Sequence, residues 1–420
     1  MKRKVILAGV NVNSNQQENF KSSMEELSNL AEACDLEVAG ALTQNVKHIH
    51  KGYYMGPGKV EELRMLIEHE DSELVVFDDE LSPSQIRNLE EELKCEVIDR
   101  TTLILNIFAS RAKTREAQLQ VEMARLKYLL PRLIGTREDL GRQGGGSGLK
   151  NRGAGETKLE LDRRKIEEKI SKLSTELEQL TLQRKTQRKQ RNKKDVPVAA
   201  LVGYTNAGKS TLMNAMLEKY GDKDEKLVFE KDMLFATLET AVRRLELENN
   251  RVFLLTDTVG FIHKLPHHLV RAFRSTLEEV TEADLLIHVL DASDPNHEQH
   301  KLLTEKVLHE IGVKGIPMIY AYNKVDLTDM ESPSVSNSRV YLSAKKRQGL
   351  EELTNKISTE ILNDYSQQTM LIPYTDGEIV SYFNNNADVI STEYDEKGTI
   401  LHVICKNSDA EKYSQYVIQE

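Results

Sequence analysis

The chain has 420 residues, with 57 Lys and Arg against 67 Asp and Glu, for a net charge of −10. That length leaves room for about three domains with cores of their own, and the acidic balance argues against a protein that simply coats nucleic acid. Cys34, Cys95 and Cys405 lie far apart and form no CxxC pair or Cys/His cluster, which excludes a disulfide scaffold and a zinc module and suits a reducing compartment.

Met1-Lys2-Arg3-Lys4 precedes the apolar run Val5–Val10, which Asn11, Asn13, Ser14 and Asn15 terminate. The run is short for a secretory signal and no small-residue cleavage site follows, so it reads as a first β-strand. No apolar stretch approaches the ~18 residues of a membrane span, so the expectation is a cytoplasmic protein without stable membrane insertion. Leu74–Phe77 and Val97–Ile98 read as further strands, and Leu27–Ala33, Val60–Ile67 and Gln85–Leu93 as helices. The alternation predicts a small α/β domain with a parallel sheet over residues 1–108. Gly56-Pro57-Gly58-Lys59 reads as the turn that starts a helix, four residues being too few for a phosphate loop.

The pattern changes over 109–195. Leu119, Met123, Leu126, Leu130 and Leu133 form one heptad-like stripe, and Ile166, Ile170, Leu173, Leu177 and Leu180 a second. Between them, residues 135–155 contain eight glycines, so the expectation is an antiparallel helical hairpin with a glycine-rich loop. Residues 111–194 carry 23 Lys and Arg and 11 Asp and Glu, a net +12, which leaves −22 for the rest. Arg184, Lys185, Arg188, Lys189, Arg191, Lys193 and Lys194 fall in one run, and the loop adds Arg137, Arg142, Lys150 and Arg152. Glycines let a backbone approach a phosphate chain and arginines neutralise it. The loop holds no aromatic residue for base stacking, so contact with RNA backbone, rather than with DNA, is expected.

After the strand-like run Val196–Val202 comes Gly203-Tyr204-Thr205-Asn206-Ala207-Gly208-Lys209-Ser210-Thr211, then a helical pattern. This is GxxxxGKS in its strand–loop–helix context. Loop N–H groups would surround phosphate oxygens, Lys209 would reach the β- and γ-phosphates, and the Ser210 hydroxyl would ligate Mg²⁺. Asp257-Thr258-Val259-Gly260 follows the strand-like Arg251–Thr256. Asp257 would hold Mg²⁺ directly or through water, and the Gly260 N–H would contact a γ-phosphate. Asn323-Lys324-Val325-Asp326 follows Pro317–Tyr322, and Ser343-Ala344-Lys345 follows Arg339–Leu342. A carboxylate at Asp326 can accept from guanine N1–H and the N2 amino group, a donor pair that adenine lacks. Four motifs in this order specify a site for GTP and GDP. A switch threonine is expected in Phe235-Ala236-Thr237-Leu238-Glu239 or just after, with Thr237 and Thr240 both open on geometry. Phe261 stands where a water-orienting glutamine is placed in Ras-like enzymes. Asn206 resembles the asparagine by which potassium-stimulated GTPases hold a monovalent cation, so K⁺ is a candidate cofactor. His48/His50 and His297/His300 have metal-compatible spacings but read as ordinary loop or helix positions.

The nucleotide motifs, with Leu265-Pro266-His267 downstream, Asp99-Arg100-Thr101 upstream and Arg152-Gly153-Ala154-Gly155-Glu156 through Asp162-Arg163-Arg164 in the linker, resemble the HflX family of ribosome-associated GTPases over most of the chain. The resemblance implies that Thr237 is the switch magnesium ligand. It further implies a P-loop GTPase domain at 196–365 that hydrolyses GTP, and a glycine-rich loop directed at the peptidyl-transferase region. Its implied partners are the large (50S) ribosomal subunit and ribosomal RNA, with splitting or rescue of stalled or idle 70S ribosomes under stress. The competing expectation is a GTPase that assists ribosomal RNA folding or subunit assembly. A monomer, partly ribosome-associated, is expected. Residues 366–420 read as a small α+β tail, with a helix near Gly377–Phe383, a hairpin from Val389–Tyr394 and Thr399–Cys405, and a final helix. The fold class expected is therefore α/β, a mostly parallel P-loop sheet preceded by a small α/β domain and a helical hairpin and followed by an α+β tail.

Overall fold

A computed structural model describes residues 2–12, 17–138, 152–192, 196–221, 234–235, 240–247, 252–266, 269, 279–330, 333–361 and 365–418. The chain divides into two compact units. The first comprises Met1–Arg188 with Lys231–Glu239 and Phe261–Ser275; the second comprises Lys189–Glu230, Thr240–Gly260 and Thr276–Glu420.

In the first unit, strands β1 (Arg3–Asn11), β2 (Leu36–Asn45), β3 (Leu74–Phe77) and β4 (Glu96–Asp99) alternate with helices α1 (Gln17–Ala33), α2 (Pro57–Glu70), α3 (Pro83–Leu93) and α4 (Arg100–Arg111). The sheet order is β2-β1-β3-β4, and all pairings are parallel. Strands covered by helices on both faces lose their alternation, and accordingly β3 is buried at every position. Gly56 caps α2 with Pro57 in its first turn, where the missing N–H costs nothing. Ser82 and Gln85 form a reciprocal capping box on α3. Helices α5 (Arg115–Glu138) and α6 (Arg152–Asn192) follow. Leu119, Met123 and Leu173 make a buried cluster that Leu126, Ile170, Leu177 and Leu180 flank, so the two leucine stripes cover each other. Arg115 pairs with Glu176 and Lys169 with Glu122. Moving seven residues forward along α5 moves seven back along α6, which makes the pair antiparallel. Residues 139–151 of the glycine-rich loop and the side chains of the basic run 184–194 lie outside the described residues.

In the second unit, β5 (Val198–Gly203), α7 (Lys209–Tyr220), β6 (Ala241–Glu246), β7 (Val252–Asp257), β8 (Leu285–Asp291), α8 (His297–Ile311), β9 (Met318–Asn323), β10 (Ser334–Ser336), β11 (Arg339–Tyr341) and α9 (Leu350–Ile361) build a seven-stranded sheet, ordered β10-β11-β9-β8-β5-β7-β6. Only the end strands β6 and β10 run antiparallel to their neighbours. The C-terminal ends of β5, β7 and β9 each run into a sequence motif, the position at which open α/β sheets bind ligands. The tail adds β12 (Tyr365–Ile372), α10 (Gly377–Asn386), β13 (Asp388–Asp395), β14 (Gly398–Lys406) and α11 (Asn407–Lys412), with β14 in the middle of an antiparallel three-stranded sheet. Its core is Met370, Ile372, Phe383, Ala387, Leu401, Val403 and Cys405. The expected fold class holds, and the tail gains a strand, β12, that the sequence reading lacked.

His288 sits inside β8 with no exposure, and neither ring nitrogen has a hydrogen-bond partner among the described residues. Burial, with Lys301 and Lys209 adding to it, pushes its pKa down to about 3. An unfolded histidine titrates near 6.5, so the unfolded chain takes up the proton first and stability falls as pH drops below about 6.5. At pH 5 the single residue should cost about 2 kcal/mol. His288→Leu should flatten the fall in thermal stability between pH 7 and pH 5; an unchanged slope would show that the histidine is not held neutral.

Candidate nucleotide site

The loop after β5 is built on two close approaches that only glycine allows. Gly203 has φ +145°, and a Cβ there would stand 2.3 Å from the Val289 carbonyl oxygen. Gly208 has φ +92°, and its Cβ would stand 2.2 Å from Asn323 Nδ2. Both fall in the left-handed range that side chains disfavour. Lys209 opens α7 and is buried; its Nζ donates to the carbonyls of Gly203 at 3.1 Å and Tyr204 at 2.7 Å. Burial pushes its pKa down to about 8, against the pull of Asp257. Ser210 Oγ donates to Asp257 Oδ2 at 2.7 Å, so the loop hydroxyl and the β7 carboxylate already adjoin. Thr258 Oγ1 donates to the Leu201 carbonyl at 2.6 Å, tying the end of β7 to β5. A Cβ on Gly260 would lie 2.8 Å from Lys209 Nζ and from Thr205 Cα. Val259 is buried beside it.

Asn323 joins the phosphate loop to the far motif. Its Nδ2 donates to the Ala207 carbonyl, and its Oδ1 accepts from the Ala344 N–H, both at 2.9 Å. Lys324 has φ +63° and pairs with Asp291 at 2.7 Å. Asp326 Oδ1 accepts from Ser343 Oγ at 2.6 Å, and Lys346 stands 4.0 Å from Oδ2. Ser343 and Ala344 are buried, while Lys345 is exposed. Asn206 is exposed with φ +60°. Thr211 continues the first turn of α7. The structure thus gathers Gly203 to Thr211, Asp257 to Gly260, Asn323 to Asp326 and Ser343 to Lys345 at one edge of the sheet. Ala236, Thr237, Leu238 and Glu239 lie outside the described residues, and so does His267. Thr240 is described and half-buried.

Sequence reasoning missed a second constellation, wholly within the first unit. Arg100 is 2% exposed; its guanidinium lies 2.7 Å from Asp78 Oδ1 and 2.6 Å from Glu26 Oε2. Ser23 Oγ donates to Asp78 at 2.8 Å, and Lys264 Nζ stands 2.5 Å from Asp78 and 2.6 Å from Asp79. Burial pushes the Asp78 pKa up, but Arg100 and Lys264 outweigh it and hold the carboxyl below its ordinary value. Phe235, with φ +53°, sets its ring edge-on to Phe108 at 4.7 Å. Phe261 and Ile262 are buried. Phe235, just before the switch threonine region, and the residues just after Gly260 therefore belong to the first unit. The available signal was Arg100 itself, a charge set among the apolar residues of Val97–Ile104, where an unpaired cation is not tolerated.

Three family models match in chain order. A GTP-binding GTPase N-terminal model covers residues 21–109, a GTP-binding GTPase middle-region model 111–191, and a model described as 50S ribosome-binding GTPase 198–324. A GTPase HflX of Caldanaerobacter subterraneus is 46% identical over 90% of this chain and 86% of its own. GTPase HflX of Escherichia coli is 38% identical over 91% of this chain and 89% of its own. A solved GTP-binding protein from Sulfolobus solfataricus in complex with GDP is 26% identical, covers 86% of this chain and 99% of its own, and has a TM-score of 0.44.

Proposed function

Because the chain belongs to the HflX family of GTPases and hydrolyses GTP, we propose that it is a ribosome-associated factor that binds the large ribosomal subunit and splits stalled or idle 70S ribosomes. The observation that carries this reading is the antiparallel α5–α6 pair bearing a net +12 segment on an otherwise acidic chain, joined to a domain matched by a 50S ribosome-binding GTPase model. A local cationic element on an anionic body binds RNA phosphates at one place and is repelled elsewhere. Association with the ribosome makes the factor cytoplasmic. Sedimentation of 70S particles with the protein and a non-hydrolysable GTP analogue should show conversion to free subunits. Particles that stay whole would rule out splitting and leave the assembly-factor reading.

In the proposed mechanism, the N–H groups of Thr205 to Ser210 surround the phosphates, and Lys209 exchanges its two carbonyl partners for β- and γ-phosphate oxygens. Ser210 and Asp257 fit a magnesium ion, since they offer adjoining hard oxygen donors, one of them a fully buried carboxylate. Thr237, assigned by family resemblance, would complete the set. Magnesium, when bound, neutralises charge on the phosphates. Gly260 reaches the phosphate end of the site because it has no side chain. Asp326 would accept from the guanine N1–H and N2 amino group, oriented by Ser343 Oγ, which donates to its Oδ1. Asp326→Asn should therefore weaken GTP and admit xanthine nucleotides, because an acceptor becomes a donor that meets the xanthine carbonyl. Competition binding with the two nucleotides checks this; an unchanged preference for guanine would overturn the role of Asp326.

Phe261 is buried and cannot hydrogen-bond water, so the attacking water needs another director. Asn206, exposed in the loop, resembles the asparagine by which potassium-stimulated GTPases hold a monovalent cation, and would supply a K⁺ ligand. Hydrolysis should be faster in potassium than in sodium buffer, and equal rates would dismiss the cation.

A further inference from the structure

The histidine pair His297/His300 has metal-compatible spacing, yet no group of three or more His, Cys, Asp or Glu able to hold a metal occurs among the described residues. The His300 ring instead lies flat on the ring of Tyr204, the second residue of the phosphate loop, with centroids 3.8 Å apart and planes inclined by 7°. We propose that His300 is a positioning residue for the phosphate loop, clamped by Asp294 onto Tyr204 so that the loop is set for nucleotide phosphates before the nucleotide arrives.

Three observations support this. First, the loop is held close at Gly203, which lies against the Val289 carbonyl, at Thr205, which lies against Gly260, and at Ala207, whose carbonyl accepts from Asn323. Tyr204 follows Gly203 directly, and its carbonyl makes the shorter of the two contacts to Lys209. Fixing the Tyr204 ring therefore fixes the peptide that aims the lysine. Second, the stack is almost a full sandwich, whereas aromatic pairs left to themselves prefer offset or edge-on arrangements. Something other than ring attraction holds the imidazole there. His300 Nδ1 lies 3.2 Å from Asp294 Oδ2, and that hydrogen bond is the largest influence holding the Asp294 carboxyl below its ordinary pKa. Third, Asp294 is itself held. Its Oδ1 accepts from the Asn296 N–H at 2.8 Å, His297 Nδ1 meets its carbonyl at 2.7 Å, and the His300 N–H donates to the Asn296 carbonyl at 3.0 Å. The start of α8 is thus a fixed shelf under the loop. Ordering a loop in advance removes an entropic cost from binding and leaves the later chemistry untouched.

The inference rests on the proposed nucleotide site. Failure of that site would appear as absent GDP binding in the unsubstituted protein, which is distinct from failure of the clamp. The test uses the full chain, a fluorescent GDP for affinity and phosphate release from GTP for kinetics. His300→Ala should weaken GDP and raise KM for GTP by about threefold to tenfold, the worth of one aromatic pair, with kcat changed less than twofold. Asp294→Ala should do the same through His300. His300→Phe, which like Asp294→Ala keeps a ring but loses the bond to Asp294, should be as weak as Asp294→Ala. Should His300→Ala fold poorly, Tyr204→Leu decides it, since it removes the same stack from the other side and should weaken GDP by the same factor. His300→Ala with unaltered affinity, a loss confined to kcat, or Asp294→Ala with parental affinity would each overturn the proposal.

Discussion

Arg100→Met should lower the stability of the N-terminal unit by about 3–5 kcal/mol, the usual cost of removing one partner from a buried ionic cluster. Methionine fills most of the volume, so the loss is electrical rather than a cavity. Asp78, fully buried, keeps Ser23 and Lys264 but loses the guanidinium at 2.7 Å; Glu26 loses its ion pair at 2.6 Å. The pH dependence carries the sign. In the native chain the Asp78 carboxyl is held below its ordinary value, so its contribution is present at neutral pH and lost as pH falls through the carboxylate range. Without Arg100, burial dominates and raises that pKa, so the variant recovers part of its deficit as pH drops and the carboxyl is neutralised. Thermal unfolding of the full chain at pH 7 and pH 5 measures both. Lys264→Met is the milder comparison, since that amine is partly exposed. A variant within about 1 kcal/mol of the parent at pH 7 would show that the cluster does not need its cation.

The sequence revealed most where one physical demand excluded other residues. β1, β3 and β4 read as apolar runs because helices cover both of their faces. The phosphate loop read clearly because Gly203 and Gly208 tolerate no side chain and Lys209 must follow at fixed spacing. The stripes of α5 and α6 read as a pair because each needs the other as cover. What escaped included β8, a central strand that leads into none of the nucleotide motifs, and several edge strands. β2 is half-exposed along its length, β6 carries Arg243 and Arg244 and buries little but Leu245, and β12 reads as polar until Met370 and Ile372. Edge strands need not be apolar, so their pattern is weak. The Arg100 cluster and the stack of His300 on Tyr204 escaped for another reason. Their partners lie 22, 74 and 96 residues away in the chain, and no periodicity links residues that only the sheet topology brings together.

Lys209→Ala should abolish useful GTP turnover, lowering kcat/KM by a factor of about 10²–10³ or more. Two charge-assisted hydrogen bonds to phosphate oxygens, each worth about 1.5–3 kcal/mol, disappear together, and each 1.36 kcal/mol is tenfold. The fold should survive. The ammonium donates to the Gly203 and Tyr204 carbonyls, but the loop is pinned independently by the glycine contacts and by Asn323. The loss should therefore appear with thermal stability nearly unchanged, which separates it from the Arg100 variant. Lys209→Arg should not rescue, since a planar guanidinium exceeds the space left by Gly260, whose own Cβ would already crowd the amine at 2.8 Å. Fluorescent nucleotide binding and phosphate release, read beside a melting curve, give all three answers. Hydrolysis within tenfold of the parent would remove Lys209 from the phosphate site, and with it the reading of Gly203 to Thr211 as a nucleotide cradle.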